Sequence, residues 1–205
     1  YEQDLKGVDA IDLSQQGLIN TMKGKFLEMV AEVSMLKFNH ELLPAAWFAA
    51  GTGKVEVPLF QYVRTQTVKA SASPAYQLDV LGKEQKKERV WICECKYTRQ
   101  PMGIAQVKKL EAAAEVFGQQ LNEEGLPGLE IRFWLISTGG FTEEVKELVH
   151  SREDMYASDY DGINNIFKAF GGNYSIPLFA KVQGEHRGSP LRHLHTKNAR
   201  ARHKG

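Results

Sequence analysis

The sequence predicts an α/β fold in which a mixed β-sheet is flanked by helices. An amphipathic helical pattern at residues 18–38 and a segment rich in helix-forming residues at 104–122 enclose a block at residues 54–97 that is rich in Val, Thr, Tyr and Ile. An apolar run of strand length follows at residues 129–138, and a further helical pattern comes directly after it. Because strands precede and follow the second helix, the predicted order is α-β-β-β-α-β, which favours one mixed sheet with helices packed on it.

The first helix is predicted over residues 18–38 by its apolar spacing. Its apolar side chains lie close to the i, i+3, i+4, i+7 pattern of an amphipathic helix, at Phe26, Leu27, Val30, Val33 and Leu36. We interpret residues 1–17 as a lead-in and residues 18–182 as one domain. A chain of 205 residues with 42% hydrophobic content can bury one full core, and it is too short for two large domains.

Strands are predicted where β-branched and aromatic residues are separated by polar turns. Such segments, at residues 55–60, 61–70, 75–82 and 89–97, predict a meander of three or four strands. The second helix, at residues 104–122, is rich in Ala, Leu, Glu, Lys and Gln, and the region of Gly125 and Pro127 closes it. After the buried strand at residues 129–138, two further helices are predicted, at residues 141–150 and 162–170.

The composition indicates a soluble globular protein of the cytoplasm. Charged residues make up 25% of the chain, and no apolar run approaches the roughly 20 residues that span a bilayer. Cys93 and Cys95 lie at i and i+2 of one predicted strand, so they share a face and are too close in sequence for an unstrained disulfide. We expect two reduced thiols, which are typical of a reducing compartment. No second Cys or His pair has the spacing of a zinc site.

Residues 183–205 differ from the rest of the chain in charge. They hold six Lys or Arg against one acid, which leaves a net charge of −4 on residues 1–182. They also contain few large apolar side chains, and therefore cannot form a packed core. We predict a disordered basic tail. It is either an arm that binds nucleic-acid phosphates or an incidental tail without a function, and we favour the second interpretation.

The pattern Glu-x-Lys occurs three times, and its setting differs each time. It occurs at Glu84 and Lys86, at Glu94 and Lys96, and at Glu144 and Lys146. The first pair lies in a polar turn, where both charges are expected to be solvated. The third pair lies on a predicted helix, where i and i+2 do not share a face. On a strand, i and i+2 do share a face, so Glu94 and Lys96 are expected to point in one direction, away from the two cysteines.

A hairpin between the last two strands of the meander brings a second carboxylate to this pair. If the turn covers residues 83–88, Asp79 lies opposite Ile92 and diagonal to Glu94, about 7 to 8 Å away on the same face. Two neighbouring carboxylates repel each other, and removing either from water costs several kcal/mol unless a cation compensates. Mg²⁺ would compensate, because it prefers oxygen ligands and takes one or two carboxylates together with waters and a substrate phosphate.

These side chains predict phosphodiester hydrolysis. Lys96 would orient or deprotonate the attacking water and stabilise negative charge on the phosphate oxygens. In the alternative interpretation, Asp79 is an ordinary strand-end residue, and Glu94 forms a solvated ion pair with Lys96 on a half-exposed face. The hairpin by itself gives the two interpretations similar weight.

Over residues 18–150 the sequence resembles the PD-(D/E)xK nuclease superfamily, in particular the Mrr-type restriction endonucleases and the archaeal Holliday-junction resolvases. The segment LDVLG carries the family's Asp as Asp79, with Leu78 at the position of the family's proline. The segment ECK carries the family's Glu and Lys as Glu94 and Lys96. The segment LISTGGFTEEVKEL is similar to the strand, turn and helix that follow the nuclease core in Mrr-like proteins.

The resemblance nominates two further site residues. The segment KGKFLE on the first helix is similar to the family pattern of Gly followed by Glu four residues on, which implies Glu28 as a further ligand of the metal or of water. Glu32, one turn later, is the alternative. Gln106, at the start of the second helix, resembles the family's active-site glutamine, which implies that it holds the attacking water or a phosphate. Without the resemblance, Gln106 would be interpreted as a surface residue of a helix N-terminus.

The resemblance implies a restriction-endonuclease-like core and a DNA endonuclease of restriction, defence or repair. Asp79, Glu94 and Glu28 would bind Mg²⁺, for which Mn²⁺ can substitute. Members of the superfamily work as dimers or as domains of larger chains, so a homodimer and a missing further domain both remain open. Nucleic-acid binding depends on neutralising phosphates, and the local cations for this purpose are Lys69, Arg99, Lys108 and Lys109.

Two other functions fit the same residues. The first is a catalytically inactive nuclease-like module that binds nucleic acid or a protein partner. The second is a small-molecule or protein-binding α/β domain whose charged strand end is incidental. This second function predicts that the side chains of Asp79 and Glu94 diverge and that Lys96 lies free in solvent.

Overall fold

The structure, a computed structural model, describes side chains from residue 17 onward and the backbone of residues 2–126, 128–173 and 175–176. The predicted tail at residues 183–205 and Pro127 lie outside the described residues. Within the described ranges, four α-helices accompany a five-stranded mixed β-sheet and a separate two-stranded sheet. None of these helices is long and apolar enough to cross a membrane. The predicted class, a mixed sheet flanked by helices, is confirmed.

Helices and strands alternate in the second half of the chain, after a first helix and a β meander. In order, the elements are α1 (Glu2–Lys37), β1 (Leu42–Pro44), a 3₁₀ helix (Ala45–Phe48), β2 (Lys54–Glu56), β3 (Phe60–Val68), β4 (Tyr76–Glu84), β5 (Arg89–Lys96), α2 (Ile104–Glu123), β6 (Glu130–Ser137), α3 (Glu143–Ser151), β7 (Met155–Ser158) and α4 (Tyr160–Ala169). The main sheet has the strand order β3-β4-β5-β6-β7. β3, β4 and β5 pair antiparallel, whereas β5, β6 and β7 pair parallel. The parallel neighbours are joined by crossovers that contain α2 and α3, as parallel pairing requires.

Two hydrophobic layers cover the two faces of the main sheet. On one face, α2 and α3 pack on a cluster that contains Ile92 of β5. On the other face, α1 and α4 pack on a cluster that contains Trp91, Cys93 and Cys95. The alternation predicted for this strand is therefore confirmed. Both cysteines are buried free thiols, and burial raises their pKa well above the ordinary value.

Four elements differ from the prediction, namely the first helix, the strand at residues 55–60, β1 and β7. The first helix begins at Glu2 and not at residue 18, since residues 2–17 contain no proline that would end a helix. The predicted strand at residues 55–60 is divided by Pro58, and its first part, β2, pairs with β1 outside the main sheet. β1 and β7 were not predicted, because strands of three and four residues are too short for a periodic pattern.

Gly82 lies where β4 passes beneath α1, in a layer that has no room for a side chain. A Cβ atom at this position would lie 2.5 Å from Met35 Cε and 2.8 Å from the ring of Phe60, and both residues are buried. We predict that Gly82→Ala lowers the free energy of unfolding by about 1–3 kcal/mol, because it overpacks this layer. Urea denaturation followed by circular dichroism measures the change.

Gly118→Ala is the matched control for this substitution. A Cβ atom at Gly118, in the middle of α2, would meet no atom within 4 Å. The variant should raise the free energy of unfolding by up to about 1 kcal/mol, because alanine is the better helix former. If Gly82→Ala unfolded at the same urea concentration as the unsubstituted chain, the packing of α1 on β4 would be contradicted.

Candidate active site

β4 and β5 pair in a register that differs from the predicted one by two residues. Ile92 pairs with Leu81, so the prediction that Asp79 lies opposite Ile92 is wrong. If the observed register is continued one residue beyond the pair Val80 and Cys93, Asp79 lies opposite Glu94. A shift by an even number of residues does not exchange the two faces of a strand. The shift therefore brings the two carboxylates closer along the strands than predicted.

The register differs because β4 continues to Glu84, which the sequence places in the turn. The expectation that Glu84 is a solvated turn charge is wrong, since its side chain is 5% exposed and lies 3.5 Å from Arg89. Trp91 Nε1 donates a hydrogen bond of 2.9 Å to Glu84 Oε1. The indole N–H of a buried tryptophan needs an acceptor, and Glu84 supplies it across the strand pair. The turn therefore covers residues 85–88 and not the predicted residues 83–88.

The pairing of β4 with β3 is irregular directly at Asp79. Two residues of β4, Asp79 and Val80, lie opposite the single residue Thr65 of β3. Leu78 and Leu81, which are three residues apart, consequently face the same hydrophobic layer. A bulge of this kind bends a strand and changes the direction of a side chain. The direction of the Asp79 side chain therefore does not follow from simple alternation along β4.

Asp79 lies where β4 and β5 separate. Their pairing ends at Val80 and Cys93. Beyond this point, the Cys95 backbone N–H donates a hydrogen bond of 2.8 Å to Asp79 Oδ2. The carboxylate takes the place of the backbone carbonyl that a continued ladder would supply. Asp79 is thereby fixed at one end of the sheet, within reach of the layers on both faces.

One cavity of about 300 Å³ brings four of the predicted site residues together. Its lining includes Asp79, Glu94, Lys96 and Gln106. Lys109 of α2 lines it as well, together with Tyr76, Gln77, Leu110 and Ala113. The cavity therefore lies between the C-terminal end of β5 and the first turns of α2. The divergence of Asp79 and Glu94 that an incidental strand end predicts is not observed.

Glu94 and Lys96 form an ion pair in this cavity. Lys96 Nζ lies 2.5 Å from Glu94 Oε1, and the Lys96 side chain is 41% exposed. The prediction of a lysine free in solvent is therefore wrong, whereas the ion pair of the alternative interpretation is present. Burial lowers the pKa of Lys96, but the hydrogen bond and charge of Glu94, with the charge of Asp79, outweigh burial and raise the pKa overall. Lys96 is therefore a positively charged hydrogen-bond donor at neutral pH.

Asp79 holds its proton more strongly than an ordinary carboxyl. Burial raises the pKa of Asp79 to about 6, and the negative charge of Glu94 adds to this effect. The hydrogen bond from the Cys95 N–H and the charge of Lys96 act in the opposite direction and are weaker together. Asp79 is thus a partly desolvated carboxylate beside a second carboxylate. A cation bound between the two would lower the energy of the ionised form of Asp79.

Glu28 is the predicted site residue that does not line the cavity. Its side chain is 16% exposed and lies 2.7 Å from Lys25 Nζ. The negative charge of Glu28 nevertheless contributes to the raised pKa of Asp79. Since α1 packs on the opposite face of the sheet from α2, Glu28 approaches Asp79 from the other side. This effect of its charge on Asp79 favours Glu28 over Glu32 as the site acid of α1.

Gln106 has a structural role at the start of α2. Its Oε1 accepts a hydrogen bond of 3.2 Å from the backbone N–H of Gly103, the residue that precedes the helix. This bond completes one half of a capping box. Because Oε1 is engaged, the amide Nε2 is the group that Gln106 can offer to a ligand in the cavity.

The carboxylates of the cavity fit a cation that retains most of its waters. The described residues contain no group of three or more His, Cys, Asp or Glu side chains arranged to hold a metal. Asp79 and Glu94 supply two carboxylates, which is the number that Mg²⁺ commonly takes alongside waters and a substrate phosphate. The donor set therefore fits Mg²⁺ or Mn²⁺ better than zinc, which prefers four protein ligands in structural sites.

Size alone does not identify the site. A larger cavity of about 640 Å³ lies between β2 and the end of α3. Of its charged side chains, Arg152 forms ion pairs with Glu111 and Asp154, and Glu56 lies 3.0 Å from His40 Nδ1. The smaller cavity is the better candidate, because Asp79 and Lys96 lie in it with shifted pKa values beside a second carboxylate.

Three polar lining residues, Lys109, Tyr76 and Gln77, were not predicted as site residues. Lys109 follows Gln106 by three positions, so the helical period places both on one face, and this signal is present in the sequence. Tyr76 and Gln77 precede the bulge in β4, which no sequence pattern reveals.

No family model matches the chain, and neither a curated protein nor a solved structure matches it. The geometry of the cavity is therefore the basis of the function proposed below.

The raised pKa of Asp79 predicts an unusual dependence of stability on pH. Its folded-state pKa of about 6 exceeds the ordinary value of 3.8, so between these values the folded chain binds more protons than the unfolded chain. The contribution of this carboxyl to stability therefore falls as the pH rises through this window. Asp79→Asn, which keeps an acceptor for the Cys95 N–H, should raise the free energy of unfolding near pH 7.5 by about 1–3 kcal/mol and change it little near pH 4.

Urea denaturation of the two proteins at both pH values measures this difference. Glu115→Gln is the control, because Glu115 is an exposed carboxylate on α2 and its replacement should have the same small effect at both pH values. Lower stability of Asp79→Asn near pH 7.5 would show that the carboxylate stabilises the fold, contrary to the burial and repulsion described for it.

Proposed function

We propose that the chain is a metal-dependent DNA endonuclease with a restriction-endonuclease-like core, which hydrolyses phosphodiester bonds in restriction, defence or repair in the cytoplasm. The observation that carries this proposal is the cavity that Asp79, Glu94 and Lys96 share. Two acids and a lysine at the end of neighbouring strands match the set that the resemblance to PD-(D/E)xK nucleases implies. A homodimer or a larger chain with a further DNA-binding domain would supply additional contacts to the substrate.

Asp79 and Glu94 would hold Mg²⁺ or Mn²⁺ in this proposal. When bound, the ion supplies positive charge to the phosphate oxygens and lowers the pKa of a coordinated water. Asp79 is ionised above about pH 6, so it is available as a ligand at neutral pH. Glu28 would support the site from the α1 face through its charge, and as a ligand only if its contact with Lys25 is exchanged.

Lys96 and Gln106 would act on the substrate directly. With its raised pKa, Lys96 donates hydrogen bonds to a phosphate oxygen or to the attacking water and stabilises the negative charge that develops on phosphorus-bound oxygens. Gln106 offers its amide N–H to the same water or to a neighbouring oxygen, while its carbonyl oxygen remains bonded to Gly103. Both side chains line the cavity described above.

A second candidate function is a catalytically inactive module of the same fold that binds nucleic acid or a protein partner. It is favoured by the partners that the acids already have within the chain. Glu94 is bonded to Lys96, and Asp79 accepts a hydrogen bond from the Cys95 N–H. A site that is already satisfied in this way has less need of a metal ion.

Plasmid cleavage tests the proposed hydrolysis. Supercoiled plasmid incubated with the chain and Mg²⁺ or Mn²⁺ should be converted to open-circular or linear DNA, and a chelator should stop the reaction. Lys96→Ala should lower the rate by about 100-fold or more, because it removes the donor that stabilises the developing charge. Lys146→Ala is the matched control, since Lys146 belongs to another Glu-x-Lys pattern and is bonded to Glu143 on an exposed helix face.

Three outcomes of this experiment count against the proposal. They are an absence of cleavage in the presence of either metal, cleavage that a chelator does not affect, and unchanged cleavage by Lys96→Ala. Cleavage that is lost equally in Lys146→Ala would indicate a general effect of surface charge.

Titration calorimetry with Mn²⁺ separates the enzyme from the inactive module. The enzyme predicts a saturable heat of binding that is lost or weakened about tenfold or more in Glu94→Gln, because one carboxylate ligand is removed. Glu115→Gln, which changes the net charge equally at an exposed position, should bind like the unsubstituted chain. An unsubstituted chain that binds no metal would favour the inactive module.

A further inference from the structure

We propose that Lys109 is a phosphate-binding residue, which together with the Gln106 amide forms a subsite for the backbone of the nucleic-acid substrate. This inference rests on the proposed function, since it assigns a substrate contact to the same cavity. Lys109 would hold a phosphate oxygen of the substrate strand next to the two carboxylates. It contributes to binding of the substrate and not to the bond-breaking step.

The position of Lys109 is the first observation behind this proposal. It lies on α2, three residues after Gln106, so the two side chains are neighbours on one face of the helix. Both line the cavity that contains Asp79, Glu94 and Lys96. Four cations, at Lys69, Arg99, Lys108 and Lys109, are near the site in the sequence, and Lys109 is the one of these four that lines the cavity.

The charges of the cavity give the second observation. A phosphate that enters it approaches two carboxylates, and the charge of Lys96 is already engaged by Glu94 at 2.5 Å. Lys109 is exposed, and it forms no salt bridge within the described ranges of the chain. An ammonium that is not neutralised by a neighbour attracts an anion more strongly than one in an ion pair. Of the two lysines that line the cavity, Lys109 is therefore the one whose charge is not partly neutralised by an ion pair within the described ranges, and it adds to the charge that Lys96 offers to a phosphate.

The amide of Gln106 supplies a second donor beside it. Its Oε1 accepts the hydrogen bond from the Gly103 N–H, which fixes the side chain and leaves Nε2 as a donor. One charged and one neutral donor, a helical turn apart, can contact two oxygens of one phosphate or of successive phosphates. Such contacts position a strand without reading its sequence.

DNA binding measured without cleavage tests this subsite. Fluorescence anisotropy of a labelled DNA duplex in the presence of a chelator reports affinity for the unsubstituted chain, Lys109→Ala, Lys109→Arg and Lys168→Ala. Lys168 is the control, because it is an exposed lysine on α4, which packs on the other face of the sheet, and it does not line the cavity. Lys109→Ala should weaken binding about 3- to 10-fold and reduce the slope of log affinity against log salt concentration by about 0.9, the value for one lost phosphate contact.

The other variants have defined outcomes. Lys109→Arg should bind within about twofold of the unsubstituted chain, because it keeps the positive charge. Lys168→Ala should also bind within about twofold, because its screened charge lies away from the cavity. Unchanged affinity and salt slope in Lys109→Ala, or an equal loss in Lys168→Ala, would overturn the subsite. If the unsubstituted chain binds DNA but cleaves no plasmid, the proposed hydrolysis is contradicted. The Lys109 variants still test the proposed subsite in that case. If the unsubstituted chain binds no DNA, the proposed function and the subsite both fail.

Discussion

The hydrogen bond from the Cys95 backbone N–H to Asp79 Oδ2 is the interaction on which the candidate site depends. It joins β4 to β5 beyond the point where their regular pairing ends, and it does so with a side chain in place of a backbone carbonyl. The bulge opposite Thr65 interrupts the regular alternation of side chains along β4. It changes the direction of the Asp79 side chain, which can then accept this bond. As a result, a carboxylate is fixed between separating strands, where the charged groups of α1 and of the α2 cavity both act on it.

The electrostatics of the cavity follow from this position. Asp79 is partly removed from water beside Glu94, and the repulsion between them is compensated only in part by Lys96. The same two acids raise the pKa of Lys96, so the site combines a carboxyl that resists ionisation with an ammonium that resists deprotonation. Repulsion between the two carboxylates lowers the stability of the folded chain, and a bound divalent cation would reduce this repulsion. Local instability of this kind is common where a protein binds a ligand or carries out a reaction.

Much of the fold could be predicted from the sequence, because its long elements have strong patterns. The helix α2 and the strands β5 and β6 were predicted within one or two residues, since their apolar periodicity and their turn residues agree. The Glu-x-Lys pattern at Glu94 could be separated from the other two because only a strand places both residues on one face. The short strands β1 and β7 could not be predicted, because three or four residues carry no period.

The details of the site were less predictable, and the reasons are physical. The register of the hairpin depends on the burial of Glu84 against Trp91, a cross-strand contact that turn composition does not indicate. The direction of Asp79 depends on a bulge that has no sequence signature. Glu28 lies on the α1 face because of the order in which the layers pack. Its charge therefore acts on Asp79, but its side chain does not line the cavity. Lys109 could have been singled out, because the helical period relates it to Gln106.

We propose that Asp79 and Glu94 bind one cation at the end of the sheet. A titration of the Asp79 carboxyl carbon by NMR, assigned through Asp79→Asn and recorded with and without Mg²⁺, is the direct test of this site. We expect an apparent pKa of about 6 without metal. With saturating Mg²⁺ we expect the pKa to fall by about one unit or more, because the cation favours the ionised form. An ordinary pKa near 4 without metal, or a pKa that Mg²⁺ leaves unchanged, would contradict the proposed site.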